Sequence, residues 1–480
     1  MDGFEKVRVR IAPSPTGDPH VGLAYVALFN YIFTKQRAGD LILRIEDTDQ
    51  LRSRASSEES IMASLKWLGL KWEEGPDKGG PYGPYRQSER RHIHRQHAEK
   101  LLNDGFAYRC FCTSERLDEL RDKQKQEGVM TSYDRKCRNL SKADVDAKML
   151  KSSPYVIRLK IPIGGVTSFY DLIRGKIEIE NEQLDDQVLI KSDGFPTYHL
   201  ANVVDDHLMR ISHVMRAEEW ISSTPKHILL YQAFGWDIPH FVHLPLLRNS
   251  DRSKISKRKN HVSLNYYRRK GILPKAMLNF LALMGWAYSG SQEIFSLSEM
   301  MEKFDIKDIH LGGPVFDIQK LVWMNQIYIQ KMSSDEFADH LREEVFTRDY
   351  LKKIHPLVSE RLETMEQFID KNDFFFSGSV TFDWNQILVE GVPKEQIASM
   401  LEELLDELDE QYVWEMIHIQ DVMEKHRKKL KWKAKEYLMP IRLVVTGRLD
   451  SPPLAKTMEV LGRDCVRLRL KEAIKSLSSL

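Results

Sequence analysis

The sequence predicts an α/β protein, with a doubly wound parallel-sheet, Rossmann-like head, an α+β insertion in that head, and an all-α C-terminal region. Apolar and basic residues alternate over residues 7–11, a period-2 pattern that is typical of a half-buried strand. A long apolar segment and a second apolar run at 41–46 follow. Strand and helix alternating in this way favour a parallel sheet covered on both faces. From about residue 263 the apolar spacing is helical instead.

Composition sets the broad class. The chain has 480 residues, of which 42% are hydrophobic and 29% are charged, and its net charge is only +1. Any contact with a nucleic acid must therefore come from local basic patches. Four cysteines are too few for a secreted disulfide framework, and no leader or membrane-spanning run is evident. We expect a cytoplasmic monomer without membrane contact.

The remaining elements follow in chain order. Helices are predicted at 57–68 and 87–102, and a cysteine-bearing, charge-rich segment of short strands follows from 108 to about 184. Strand-like sequence resumes at 188–200, and the residues around 227–234 should form a helix. The polar loop 248–260 holds six Lys and Arg residues. Helical periodicity marks the segments 300–304, 318–324, 334–345 and 394–408.

A loop rich in Pro and Gly separates the first strand from the first helix. It ends in Pro19-His20-Val-Gly22, directly before the helix. Backbone N–H groups and the helix dipole favour an anion at such a position, and His20 could add a donor to a phosphate oxygen. The stretch is neither of the common glycine-rich nucleotide loops. A His-x-Gly sequence on its own is weak evidence of function, because most such histidines are ordinary surface or core residues.

The lysine-rich run 254–258 gives this loop a partner. Pro-His-Val-Gly resembles the HIGH motif of class I aminoacyl-tRNA synthetases, and Lys-Ile-Ser-Lys-Arg resembles their KMSKS loop. Two lysines on a loop can stabilise a triphosphate as pyrophosphate leaves. The resemblance implies catalytic roles for His20, Lys254 and Lys257. It implies ATP binding by Pro19, His20, Gly22, Lys254, Ser256, Lys257 and Arg258, with Mg²⁺ accompanying ATP.

Six segments narrow the resemblance to the bacterial-type glutamyl-tRNA synthetases. They are Arg-Ile-Ala-Pro-Ser-Pro-Thr-Gly, Leu-Arg-Ile-Glu-Asp-Thr-Asp, Gly-Pro-Tyr-Arg-Gln-Ser-Glu-Arg, Tyr-His-Leu-Ala-Asn-Val-Val-Asp-Asp-His, Arg-Ala-Glu-Glu-Trp and Lys-Ile-Ser-Lys-Arg, in this order. The resemblance covers about residues 7–330. It implies activation of L-glutamate with ATP and transfer to the 3′-terminal adenosine of tRNA(Glu), with the tRNA already bound during activation.

The resemblance also implies a domain order and a glutamate site. The expected domains are the first catalytic half at 1–107, an acceptor-stem-binding insertion at 108–185, the second catalytic half at 186–250, a KMSKS-loop and stem-contact domain at 251–325, and helical anticodon-binding domains at 326–375 and 376–480. The glutamate site is expected at Arg10, Ala12, Ser14, Glu46, Tyr198, Asn202, Arg216 and Trp220. Arginine suits a side-chain carboxylate because it can bind both oxygens at once.

Three cysteines in the insertion form a candidate metal site. Cys110 and Cys112 are two residues apart, and Tyr133-x-x-x-Cys137 follows. Three thiolates suit tetrahedral zinc and leave one ligand open, which some members of the family complete with a tyrosine or a histidine. Here Tyr133 stands in that arrangement, and Asn139 takes the place of the histidine. The expected structural Zn²⁺ ligands are Cys110, Cys112, Tyr133 and Cys137. The alternative is three reduced thiols without metal.

The tail carries a second basic run. Residues 425–435 hold seven Lys and Arg residues around Trp432, either as a solvated helical face or as an RNA-binding surface. The resemblance favours RNA binding, with tRNA contacts at Arg361, Lys428, Lys431, Trp432, Arg442 and Thr446. Arg361 falls where members restricted to tRNA(Glu) read the last anticodon base, which favours a discriminating enzyme.

Several alternatives stay open. A non-discriminating enzyme would also glutamylate tRNA(Gln), and a catalytically inactive RNA-binding paralogue would keep the fold without the chemistry. The presence of His20, Lys254 and Lys257 argues against the paralogue. A glutaminyl-tRNA synthetase typically has Pro-Glu-Pro-Asn-Gly before the His-x-Gly, and a truncated relative that modifies an aspartate tRNA lacks the helical tail. A small-molecule nucleotidyltransferase would not need that tail.

Overall fold

A computed structural model describes residues 6–50, 52–129, 131–255, 262–288, 292–383, 385, 392–411 and 413–477. The chain divides into two compact units. The first comprises Met1–Ile255 and Pro274–Leu321, and the second Ser256–Leu273 and Val322–Leu480. The predicted segment 251–325 is thus shared between the two units. The other domain boundaries stay predictions.

Nine strands and nineteen α-helices lie in the described residues. The strands are β1 (Arg8–Ile11), β2 (Asp40–Leu43), β3 (Ala107–Cys110), β4 (Val156–Leu159), β5 (Val166–Asp171), β6 (Gly175–Glu180), β7 (Val188–Ile190), β8 (His213–Ala217) and β9 (His240–Leu244). The helices are α1 (Val21–Gln36), α2 (Ala55–Trp67), α3 (Arg91–Asn103), α4 (Ser114–Gln126), α5 (Lys142–Leu150), α6 (Tyr198–Leu208), α7 (Thr224–Phe234), α8 (Leu264–Arg269), α9 (Pro274–Gly285), α10 (Leu297–Lys303), α11 (Ile318–Gln330), α12 (Ser334–His340), α13 (Arg348–Val358), α14 (Gln367–Asn372), α15 (Lys394–Asp409), α16 (Met416–Leu430), α17 (Ala434–Thr446), α18 (Leu454–Leu461) and α19 (Arg463–Leu477).

The central sheet of the first unit is built from two parallel pieces. β1 pairs with β2, and β8 pairs with β9, both in parallel. β5 continues the second piece in parallel, and β6 closes it as an antiparallel edge strand. The pieces meet where the Ser212 N–H donates to the Arg8 carbonyl at 3.0 Å. Because β1 lies against β8, the two pieces follow one another in the order β2-β1 and β8-β9-β5-β6, which confirms the predicted doubly wound head.

The insertion has a sheet of its own, and the strands of this sheet are not the ones that the range 108–185 encloses. β3, β4 and β7 form a separate antiparallel sheet, so β7 lies outside the predicted insertion 108–185 yet belongs to its sheet. β5 and β6 lie inside that range, but they belong to the central sheet. The strand register explains why β5 belongs to the central sheet, because Asp171 at the end of β5 pairs with Phe241 of β9. Such long-range pairing leaves no local signal in the sequence.

The strand-like segment 188–200 is also shorter than predicted. β7 ends at Ile190, and a turn follows in which the Gly194 N–H donates to the Lys191 carbonyl at 2.9 Å. Gly194 has φ +80°, a conformation that favours glycine. Because this turn and Pro196 stop the strand, Tyr198 begins helix α6 instead. The break places the side chains of α6 beside the carboxyl end of the central sheet.

The second unit is helical, as predicted. Helices α13 and α15 to α19 contribute buried apolar residues to one continuous core. The predicted helix at 394–408 corresponds to α15, which buries one face through Ile397, Leu401 and Leu404. Among the described helices, none combines the length and apolar character that crossing a membrane requires.

Candidate active site

The site lies where strand order reverses. From β1 the chain crosses through α1 to β2 on one side, and from β8 through α7 to β9 on the other. Crevices form at the carboxyl ends of parallel strands at such a switch point. Arg10 on β1, Arg44 just after β2 and Arg216 on β8 all occur near those ends. The fold therefore gathers three arginines at one edge.

Two of these arginines share a buried network with acidic partners. Arg10 Nε donates to Asp206 Oδ1 at 3.0 Å, and its Nη2 donates to Asn202 at 3.1 Å. Arg44 is fully buried, donating to Asp206 at 2.6 Å and to Glu46 at 3.2 Å. Burial alone would lower the pKa of Arg44, but Asp206 and Glu46 raise it above its usual value. Both guanidinium groups are thus held in fixed positions by hydrogen bonds to carboxylates or amide oxygens.

Arg216 is different, because all the hydrogen-bond partners recorded for it are uncharged. It is only 5% exposed. Its Nε faces His243 Nε2 at 3.1 Å, Nη1 donates to the Tyr198 hydroxyl at 3.1 Å, and Nη2 donates to Thr224 Oγ1 at 2.8 Å. In the described part of the chain no carboxylate is recorded in contact with it. Burial lowers the pKa of Arg216, because desolvation destabilises its positive charge. An anionic ligand would stabilise this charge.

The aromatic wall of the site comes from α6 and the short 3₁₀ turn Glu218–Ser223. The Tyr198 and Trp220 ring centroids lie 4.2 Å apart, and the Arg216 guanidinium lies 5.9 Å from the Trp220 ring. Burial raises the pKa of Tyr198, which keeps its hydroxyl protonated and able to donate. The site thus offers cations, a phenol and flat apolar faces beside one another at the carboxyl end of the central sheet.

The loop after β1 closes the site from one side. The Pro13 carbonyl accepts from the Glu46 N–H at 3.0 Å, which ties the loop to the end of β2. Within this loop Ala12 is half-buried and Ser14 is exposed. The structure therefore joins Arg10, Glu46 and Asn202 through one buried network, and it places Tyr198, Trp220 and Arg216 beside one another. Their binding of glutamate stays a prediction. Ala12 and Ser14 lie on the neighbouring loop.

His20 stands at the start of α1. It is the residue before the first helical position, it is exposed, and Pro19 beside it is buried. A Cβ on Gly22 would come within 2.9 Å of His20 Nδ1, so only glycine leaves room for this ring position. The helix presents its N-terminal N–H groups beside the imidazole, as the predicted phosphate site requires.

Of the lysine loop, only its beginning is described. Asn249 Nδ2 donates to the Lys254 carbonyl at 3.1 Å and to Ser253 Oγ at 2.8 Å, which shapes the turn before the loop. Lys254 is exposed and pairs with Glu219. Ser256, Lys257 and Arg258 lie outside the described residues, and their ATP-binding roles stay predictions.

The cysteine cluster is formed as expected. The sulfurs of Cys110, Cys112 and Cys137 lie within 4.8 Å of one another, and the Tyr133 hydroxyl is 3.2 Å from Cys110 and 3.5 Å from Cys112. Hydrogen bonds from Cys137 and Tyr133 lower the pKa of the Cys110 thiol to about 4, against the opposing effect of burial. Cys112 and Cys137 Sγ are 3.6 Å apart. A zinc ion with bonds of about 2.3 Å would hold sulfurs about 3.8 Å apart, so the donor set fits zinc.

The predicted tRNA contacts in the second unit are of two kinds. Arg361 pairs with Asp450 at 2.5 Å on the surface, and Lys428 and Lys431 are exposed. Trp432 packs partly against the core of the unit. These four contacts stay predictions.

Arg442 and Thr446 have internal partners instead. Arg442 donates to the carbonyls of Ser451 and Pro452, and the Thr446 hydroxyl donates to the Arg442 carbonyl at 2.8 Å. Thr446 is only 1% exposed, so the prediction of a tRNA contact is wrong for this residue. Its periodicity on α17 already indicated a buried position. Arg442 is half-buried, and its contact with tRNA stays a prediction.

Sequence reasoning missed four polar residues of the site. Arg44 lies two residues before Glu46, and this strand spacing could have revealed it. Asp206 lies one turn after Asn202 on α6, and helical spacing could likewise have indicated it. His227 and His243 gave no such signal, because α7 and β9 bring them to Arg216 only through the fold.

Comparison with known proteins agrees with this geometry. A family model described as "tRNA synthetases class I (E and Q), catalytic domain" matches residues 6–323, and an "Anticodon binding domain" model matches residues 336–474. The fold and the site therefore define a class I aminoacyl-tRNA synthetase. A glutamate–tRNA ligase of Pseudomonas savastanoi pv. phaseolicola is 47% identical over 98% of this chain and 96% of its own length. One of Marinomonas sp. is 48% identical over 99% and 96%. The chain belongs to the glutamate–tRNA ligase family.

A solved structure supports the same conclusion. The crystal structure of a glutamate tRNA ligase from Elizabethkingia meningosepticum, in complex with its amino acid, matches with a TM-score of 0.67 at 36% identity. The match covers 98% of this chain and 100% of that one. The resemblance found in the sequence is thereby confirmed for both the head and the helical tail.

Glu46 gives a pH dependence that can be measured. Burial raises the pKa of Glu46, although Arg44 and Arg10 oppose the shift. Glu46 therefore takes up a proton at a higher pH than a free carboxyl, and it then no longer attracts an ammonium group. We expect the KM for an amino-acid substrate to rise as the pH is lowered, and to begin rising at a higher pH than an ordinary carboxyl group would give. In Glu46→Gln the KM should be high at every pH. A wild-type pH profile in Glu46→Gln, with the exposed Glu59→Gln as control, would contradict this role.

Proposed function

We propose that this enzyme activates L-glutamate with ATP and transfers the glutamyl group to the 3′-terminal adenosine of tRNA(Glu), discriminating against tRNA(Gln). One observation carries the choice of glutamate. Among the described residues, the three buried guanidinium groups of Arg10, Arg44 and Arg216 are recorded in hydrogen bonds with two carboxylates, those of Glu46 and Asp206. Glutamate carries one net negative charge and would balance the site, whereas glutamine carries none.

The roles of the residues follow from their partners. Arg216 and the Tyr198 hydroxyl bind the side-chain carboxylate of glutamate, because no acid competes for Arg216 among the described residues. Glu46 binds the ammonium group. Arg10, held by Asp206, adds positive charge beside Arg216 without changing position. Fixed groups of this kind stabilise a substrate without reorganising as it reacts.

The residues proposed to bind ATP would act by positioning its phosphates and by stabilising their negative charge. The substrate α-carboxylate is already a nucleophile at neutral pH, so no side chain needs to remove a proton. His20 and the N-terminus of α1 stabilise the α-phosphate, and Lys254 and Lys257 stabilise the departing pyrophosphate. Mg²⁺ bound with ATP supplies further positive charge. An inactive paralogue is disfavoured because Arg216, Glu46 and Tyr198 form a complete amino-acid site.

Charging assays test the proposal directly. Labelled glutamate is offered with purified tRNA(Glu) and tRNA(Gln) in separate reactions. We expect tRNA(Glu) to be charged and tRNA(Gln) to be charged at least about 100-fold more slowly, since one lost base contact costs about 1–3 kcal/mol and an unpaired arginine adds to it. Arg361→Gln should reduce this preference, while exposed Arg342→Gln should not. Equal charging of both tRNAs by the wild type would contradict discrimination, and no charging of either would favour the paralogue.

We infer further that Cys110, Cys112, Tyr133 and Cys137 hold a structural zinc ion, which would fix the end of β3 to the segment 133–137. Two nearby arginines, Arg116 and Arg158, would balance the negative charge of such a cluster. Arg116 Nη1 lies 3.4 Å from Cys112 Sγ, and the Arg158 guanidinium lies 4.0 Å from the centre of the Tyr133 ring. The four cysteines form no disulfide in the described residues, which fits the reducing compartment expected from the composition.

Metal analysis tests the zinc site. We expect about one zinc ion per chain in the purified enzyme, and less than about a tenth of that in Cys112→Ser, because structural zinc sites need four ligands. Cys465→Ser is the matched control, since Cys465 lies on α19 and not in the cluster. A metal-free wild type, purified without chelator from zinc-supplemented medium, would show that the thiols act without metal.

A further inference from the structure

Arg216 is hydrogen-bonded to a buried series of groups that have no role in the reaction proposed above. Asp171, at the end of β5, and His243, on β9, are both fully buried. Asp171 Oδ2 lies 2.7 Å from His243 Nδ1, and His243 Nε2 lies 3.1 Å from Arg216 Nε. The three residues come from three neighbouring strands of the central sheet. We propose that Asp171 and His243 are positioning residues that aim Arg216 at the substrate carboxylate while leaving its charge uncancelled.

The sheet itself sets this alignment. Arg216 and His243 are register partners in the parallel β8–β9 pair, so their side chains leave the sheet on the same face. Asp171 lies one strand further, beside Phe241. Its carboxylate is anchored by backbone N–H groups, with Oδ1 accepting from Ile173 and Arg174, each at 3.0 Å, and Oδ2 accepting from His243 at 3.0 Å. An anchored carboxylate can hold an imidazole in a single orientation.

The position of the proton on His243 follows from the two groups that it contacts, the Asp171 carboxylate and the Arg216 guanidinium. A carboxylate can only accept a hydrogen bond and an arginine can only donate one, so neutral His243 must carry its proton on Nδ1 and accept at Nε2. Burial lowers the pKa of His243 to about 4, against the opposing effect of Asp171. The imidazole is thus neutral at physiological pH. It orients Arg216 without adding a charge.

A second neutral histidine supports the same arrangement. Arg216 lies 3.3 Å from His227 Nδ1, and His227 Nε2 lies 3.1 Å from His199 Nδ1. Burial lowers the pKa of both His227 and His199, so neither carries a charge. Asp171 is linked to Arg216 only through the His243 imidazole, and among the described residues no carboxylate is recorded in a hydrogen bond with Arg216. A carboxylate in direct contact would occupy the N–H groups and cancel the charge that the substrate needs.

This inference rests on the proposed role of Arg216 in binding glutamate. It adds a specific expectation about two substitutions of the same residue. In His243→Gln the side-chain oxygen can take the place of Nε2 and accept from Arg216. In His243→Asn the shorter side chain can keep the bond to Asp171 but does not reach Arg216. The two variants introduce the same amide and differ by one methylene group, so they form a matched pair.

The experiment measures ATP–pyrophosphate exchange with tRNA(Glu) present, together with melting temperatures. We expect the KM for glutamate to rise about 10-fold or more in His243→Asn, which corresponds to about 1.4 kcal/mol. In His243→Gln it should stay within about 3-fold of wild type. The kcat and the KM for ATP should change little in both variants. His240→Gln, on the same strand and outside the chain of groups, is the control and should resemble wild type.

Three outcomes would overturn the proposal: a wild-type KM in His243→Asn, equal KM increases in both variants, or a fall in melting temperature and kcat without a change in KM. Arg216→Gln is measured in parallel. If Arg216→Gln itself leaves the KM for glutamate unchanged, the proposed glutamate site is wrong. If Arg216→Gln abolishes glutamate use and His243→Asn does not alter the KM, only the positioning role is wrong.

Discussion

Replacing Arg216 with glutamine should raise the KM for glutamate by at least about 100-fold, because hydrogen bonds to a charged group contribute about 1.5–3 kcal/mol and the group left behind is desolvated. Arg216 is 5% exposed and has four uncharged partners. Its positive charge is therefore available to a substrate carboxylate and is not used by an ion pair of the protein. Exchange kinetics at varied glutamate concentration would measure the effect.

The fold should survive this change. Burial already disfavours the charged form of Arg216, as its lowered pKa indicates, and none of its recorded hydrogen-bond partners among the described residues is an acid. We expect a melting temperature within about 2 °C of wild type, which corresponds to about 1 kcal/mol for a unit of about 300 residues. Arg95→Gln, which removes an exposed arginine paired with Glu99, is the control. An unchanged KM for glutamate in Arg216→Gln would contradict the site.

Replacing Lys257 with alanine should slow glutamate activation by about 100- to 1,000-fold, the range expected when one group that stabilises transition-state charge is lost. Lys257 lies in the predicted phosphate loop, directly after the described turn that Asn249 shapes. The loss should fall mainly on kcat, because the charge on the phosphates grows as pyrophosphate departs. ATP–pyrophosphate exchange with tRNA(Glu) present is the assay.

Lys259→Ala provides the matched control, since it removes the same charge two residues further along the same loop. We expect it to retain exchange activity within about 5-fold, because the family resemblance assigns no ATP-binding role to Lys259. Similar losses in both variants would indicate a general effect of loop charge, and a wild-type rate in Lys257→Ala would contradict the proposed clamp.

The fold could be predicted from sequence wherever the pattern is local. The strand alternation at 7–11 and the helical spacing of α15 were sufficient to predict β1 and the all-α tail. The sheet membership of β5 and β7 was not predictable in this way. Both pair with strands distant in sequence, β9 and β4 respectively, and only the folded register decides which sheet they join.

The site residues could likewise be predicted only in part from the sequence. Arg10, Glu46 and Arg216 were predicted through motifs that resemble a known family. Their distinct electrostatic environments came only from the structure, because Asp206 pairs with Arg10 from another element, whereas the recorded hydrogen-bond partners of Arg216 among the described residues are uncharged. Thr446 was wrongly expected to contact tRNA, since its motif gives no measure of burial. Motifs identify chemical groups, whereas charge balance depends on what the fold places beside them.

The selection of glutamate over glutamine in the activation step tests the central claim most directly. The two amino acids have nearly the same shape, and they differ by the one negative charge that the three arginines are proposed to balance. ATP–pyrophosphate exchange by the wild-type enzyme, with tRNA(Glu) present, should favour glutamate by at least about 1,000-fold in kcat/KM, or about 4 kcal/mol. Comparable exchange with glutamine would contradict the claim.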